Sequence, residues 1–134
     1  MTKEDKMLLI KDLSSRLPYA VHVQHISGVS GILHDISIYH KYDENDNIYD
    51  AICYTDFLGD EDSIDIECFK PYLFPLSSMT EEQEKEYNNL NCYELGCFPH
   101  SEEALDYLTK NHFDYRYLIE KGLAIDATGL NVYF

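Results

Sequence analysis

Between Ala20 and Phe69 the apolar side chains tend to recur at every second position, and stretches of helical spacing flank that alternation on both sides. A period of two buries one face of a strand, whereas a period near 3.6 buries one stripe of a helix. Few folds satisfy both demands in this order. Val21 and Val23 alternate with His22 and Gln24, and Ser27, Gly28, Ser30 and Gly31 mark a turn. From Ile32 to Tyr42 the even positions, Ile32, His34, Ile36, Ile38, His40 and Tyr42, form the drier side. Ile48–Phe57 and Ser63–Phe69 read as further strands, joined by short polar loops that favour antiparallel neighbours.

The flanks are helical. Thr2 and Asp5 resemble a capping box, and the apolar residues from Met7 to Leu17 follow at helical spacing until Pro18. A helix over 3–16 is expected, with Lys6, Lys11, Asp12 and Ser15 on its polar side. Pro71 and Pro75 bracket an apolar crossing. Thr80 with Gln83 opens a short polar helix over 81–90, and Ser101 caps another over 102–111 with Ala104, Leu105 and Leu108 on one face. Tyr115–Lys121 reads as a last helical turn stopped by Gly122, and Leu123–Ile125 as a short strand. At 134 residues the chain suits a single domain, 1–134. The expected fold is α+β: a twisted antiparallel sheet of three to five strands with helices packed on one face.

The net charge of −15 argues against a basic face for nucleic acid and against a polybasic membrane patch. The apolar run Met7–Ile10 is far shorter than a secretory core of roughly 7–15 residues or a span of roughly 20. These features predict a cytoplasmic chain whose cysteines are reduced. The charge is also located. Asp43, Glu44, Asp46, Asp50, Asp56, Asp60, Glu61, Asp62, Asp65 and Glu67 fall in one stretch that holds no Lys or Arg. Such a stretch suits a basic protein partner, or imitates the phosphates of DNA; equally, it keeps a surface solvated.

Candidate chemistry is sparse. Cys92, Cys97, His100 and His112 lack the paired spacing of a zinc site and read as loop residues. Asp43-x-Asn45-x-Asn47 opens like a calcium loop, but Ile48 and Tyr54 stand where Gly and Glu are needed. His22, His25, His34 and His40 lie in or near the expected sheet without a recognisable nucleophile, which reads as structural histidine. The twelve tyrosines suit cross-strand packing or an interface. No catalytic residue, metal or cofactor is expected.

Three stretches, Lys11–Tyr19, Ile66–Glu82 and Asn111–Ala124, together resemble a group of small proteins carried by phages, prophages and mobile elements of anaerobic gut bacteria. The resemblance implies a phage-derived or bacterial cytoplasmic protein and transfers no catalytic residue. It further suggests that Phe113-Asp114-Tyr115-Arg116 is a structural joint in which Arg116 pairs an acid. The expected function is a non-enzymatic accessory or protein-binding domain; the competing reading is an acidic inhibitor that imitates nucleic acid on a basic host or defence protein.

Overall fold

The computed structural model describes residues 1–43, 46–56, 65–90 and 102–133, and only the backbone for 39–43 and 46–50. Helix α1 (Lys3–Arg16) begins where Thr2 accepts the Asp5 amide at 3.1 Å. Strands β1 (His22–His25), β2 (Ser30–Asp43), β3 (Asp46–Thr55) and β4 (Phe69–Pro75) follow, then helices α2 (Glu81–Leu90) and α3 (Glu102–Lys110), and two-residue strands β5 (Phe113–Asp114) and β6 (Ile125–Asp126). The fold is α+β, as the periodicity predicts.

β1 pairs antiparallel with β2 and β4, and β2 with β3, whereas β5 and β6 join β4 in parallel. The sheet is therefore mixed and six-stranded. Parallel pairing is possible because α2 and α3 return the chain to the same end of β4 before it pairs again.

Leu9 and Leu13 of α1 pack with Val21, Val23, Leu33, Cys53, Phe69 and Leu73 in one apolar cluster. Each fully buried side chain of this size contributes about 1.5–3 kcal/mol. Four expectations shift in detail. Asp12 is fully buried rather than on the polar helix face, and Arg16 is buried with it. The drier side of β2 changes phase, with Leu33 buried and Ile38 49% exposed. A bulge between Leu33 and Asp35 inserts an extra residue, and the strand then runs past the core.

Ser63–Phe69 is not a described strand. Ile66–Cys68 forms a 3-10 turn, and the strand begins at Phe69 and runs through the proline-flanked segment. Pro71 is tolerated because the Ile26 amide donates to the Cys68 carbonyl at 2.9 Å. In an antiparallel ladder bonded pairs alternate, which places Pro71 opposite Val23 at a position needing no N–H toward β1. Finally, 115–121 forms turns rather than a helix. The buried Asp114 carboxylate takes the Leu118 and Ile119 amides at 2.9 and 3.0 Å, and Tyr117 sits at φ 59°. Helical carbonyl partners are thereby replaced.

Candidate functional site

A concave site is assembled where α3 ends beside β4. In the last turn, Asn111 directs both its backbone N–H (3.1 Å) and its side-chain amide (2.9 Å) to the Tyr107 carbonyl, and the His112 amide reaches Thr109 at 3.2 Å. His112 then adopts φ 64°, the left-handed conformation in which helices commonly end on glycine. Its carbonyl accepts the Phe74 amide at 2.8 Å, which starts the β4–β5 pairing. The backbone is thus held on both sides of a bulky ring.

That ring is stacked on Tyr133, with centroids 3.7 Å apart and planes 9° from parallel. Tyr133 also meets the edge of His22 at 4.8 Å. Its hydroxyl accepts from the His22 amide at 3.0 Å and donates to the Tyr72 carbonyl at 2.7 Å. The register Val23↔Pro71 would bring His22 opposite Tyr72, so a phenol stands where β1 and β4 would otherwise bond directly. Phe74 lies 5.9 Å from Tyr133 and 6.3 Å from Phe113, centroid to centroid. These rings and His112 wall a pocket of about 470 Å³. Its polar lining comes from Ser78, Gln83, Lys110, Asn111 and Thr128. The volume lies in the range of small-molecule sites, about 300–1,000 Å³.

Behind the wall is a buried ion cluster. Asp12 meets Arg16 at 2.9 Å and Arg116 at 2.8 Å, and Arg16 also donates to the Phe113 carbonyl at 2.6 Å. Arg116 lies over the Tyr115 ring at 4.5 Å. Arg116 therefore does pair an acid, through a contact that ties the C-terminal part of the chain to α1. Arg16 Nη1 and His112 Nδ1 are buried without a hydrogen-bond partner among the described residues.

Burial, then the Arg16 charge and His22, push the His112 pKa down to about 4. Burial likewise lowers His22, against a raising effect of Asp56, and raises the Tyr133 phenol. At neutral pH the His112 ring is therefore uncharged. Because its folded pKa lies below the unfolded value of about 6.5, the unfolded chain binds more protons between these values. Stability from this group is complete above pH about 6.5 and falls as pH drops toward about 4. Discounted for partial solvent exposure, the loss is about 1–2 kcal/mol. His112→Asn, which tolerates the backbone conformation, should show it in urea melts: the stability advantage of the parent protein over the variant shrinks from pH 7 to pH 4.5. An advantage independent of pH would mean that His112 titrates normally.

The residues picked out by sequence lie elsewhere. Glu44, Asp60, Glu61 and Asp62 are outside the described residues, and Asp43, Asp46 and Asp50 are described by backbone alone. The β2–β3 register sets Asp43 opposite Asp46 and Tyr39 opposite Asp50. Asp56 accepts the Ile32 amide at 3.2 Å, Glu67 pairs with Lys6 at 2.6 Å, and Asp65 is exposed. Two of the three acids with described side chains are thus engaged within the molecule. His25 bonds Ser27 at 2.8 Å and meets the Phe69 ring at 5.2 Å, while His34 is exposed.

Cys53 is buried, and burial pushes its thiol up to about 12, with Cys68 adding to the effect. Cys92, Cys97 and His100 lie outside the described residues. Among the described residues no three His, Cys, Asp or Glu side chains group as a metal site. Also among them, no helix is long and apolar enough to cross a membrane.

Sequence reasoning weighed His112 only as a metal ligand and passed over Tyr133. The one local signal was a histidine directly after a helix end, where glycine is usual. No family model matches this chain, and no curated protein or solved structure is significantly similar to it.

Proposed function

We propose that this chain is a non-enzymatic binding domain and that the pocket walled by His112, Tyr133, Phe74 and Phe113 is its recognition site. The observation that carries this reading is a concavity of about 470 Å³ whose walls are aromatic and whose polar groups are largely committed. Ser78 donates its hydroxyl to the Pro75 carbonyl at 2.6 Å. The Asn111 amide is spent on Tyr107, and the Gln83 side-chain oxygen accepts the Thr80 amide at 2.9 Å. Groups held this way orient a ligand and give it a shaped apolar surface. The His112 ring, neutral and stacked on Tyr133, serves as wall area.

The test is amide NMR with a panel of uncharged, anionic and cationic one- and two-ring compounds. Saturable shifts should concentrate at Lys110–Phe113 and at Thr128–Gly129. Thr128→Trp, at an exposed rim position, should abolish them without unfolding the protein. A panel with no member that shifts these amides, or binding unchanged in Thr128→Trp, would overturn the assignment.

A further inference from the structure

We propose that the ligand of this pocket is a flat aromatic anion, a carboxylate on one or two fused rings, with its rings against Phe74 and Tyr133 and its charge at the Lys110 ammonium. The inference rests on the reading of the pocket as the recognition site and adds the chemical class of what it takes.

The argument is one of charge set against composition. The chain carries 25 Asp and Glu against 10 Lys and Arg. The pocket lining nevertheless contains Lys110 and neither an Asp nor a Glu. Lys110 is exposed and makes no ion pair among the described residues. Gln83 commits its oxygen to Thr80, which leaves its NH2 end as a donor.

The buried cluster behind the wall points the same way. Two guanidinium groups share the single Asp12 carboxylate, while the buried Asp114 carboxylate next to Phe113 is turned to the Leu118 and Ile119 amides. One of the two, Arg16, is fully buried and bonded to the carbonyl of pocket-lining Phe113. Its field reaches the pocket wall, where it helps to hold His112 in the neutral form. A cation entering the pocket meets Lys110 and the Arg16 guanidinium behind the wall. An anion is attracted by both, and the aromatic walls supply ring contact to a planar body.

Titration with 2-naphthoate and its uncharged counterpart 2-naphthamide, followed by the amides of Lys110–Phe113, tests the inference on the full chain. Naphthoate is expected to bind at least about tenfold tighter, a difference of about 1.4 kcal/mol. Lys110→Met should reduce the two affinities to near equality, while Lys121→Met, at an exposed lysine outside the pocket lining, should leave the preference intact. Equal or tighter binding of the amide by the parent protein would overturn the anion assignment while leaving the pocket a recognition site. A naphthoate preference that survives Lys110→Met would overturn it too. Failure of both compounds to shift these amides would overturn the aromatic-anion assignment, whereas the recognition reading falls only if every member of the wider panel fails as well.

Discussion

Replacing Asp12 by alanine is expected to lower the stability of this protein by about 3–5 kcal/mol, the usual consequence of removing one partner from a buried ion pair. Asp12 and Arg16 are both fully buried, and Asp12 is the carboxylate that holds Arg16 and Arg116 together. Without it, the Arg16 guanidinium keeps its bond to Phe113 but loses its counter-charge in the interior. Since domains of this size are stable by only about 5–15 kcal/mol, the variant should lie close to its unfolding threshold at ambient temperature.

Urea melts give the measurement: the midpoint should fall with the slope unchanged. Asp12→Leu combined with Arg16→Met should recover much of the loss, because an apolar pair leaves no buried charge needing a partner. A loss under about 1 kcal/mol for Asp12→Ala would show that water reaches Arg16 and that the cluster is not the closed one described.

The second large effect is expected from a single oxygen. Tyr133→Phe keeps the ring stacked on His112 but removes the hydroxyl that accepts from His22 and donates to Tyr72. Two backbone groups at the β1–β4 junction then lose their partner, at a cost of about 1–3 kcal/mol. Hydrogen exchange should locate the damage: the His22 amide loses protection, whereas amides in the middle of α1 change only as far as global stability does. Tyr133→Ala should be worse and should also abolish ligand binding, since the pocket loses a wall. If Tyr133→Phe leaves both stability and His22 protection unchanged, the two strands close directly once the phenol is gone.

These two residues show how differently parts of the molecule are written in the chain. Helix α1 and its Thr2 cap, and the Thr80–Gln83 box that opens α2, are local. The Gln83 amide reaches Thr80 Oγ1 at 3.2 Å across three residues, so every group involved is visible within a few positions. The β2–β3 hairpin is nearly as local, because its end pair, Asp43 and Asp46, stands only three positions apart along the chain. Asp12 is the opposite case. Within α1 it looks like any polar helix residue; it is buried because Arg116, 104 positions away, comes to lie against it. The parallel pairing of β5 and β6 with β4 is equally non-local, and no pattern in two-residue segments announces it.

The pocket belongs to that second category. Lys110 closes helix α3 and His112 follows it, Phe74 sits in a strand between prolines, and Tyr133 lies in a turn at 132–133. None of these is marked by spacing, and the acidic stretch that dominates the chain's charge supplies none of the lining. Sequence alone determined the helices with their caps, the alternation of the hairpin and the large negative charge, because each depends on residues that are neighbours along the chain. Tertiary structure decided which polar residues are buried and where a concave site forms. Those outcomes depend on contacts between segments that only packing brings together, and on the cost of leaving a buried charge or amide without a partner.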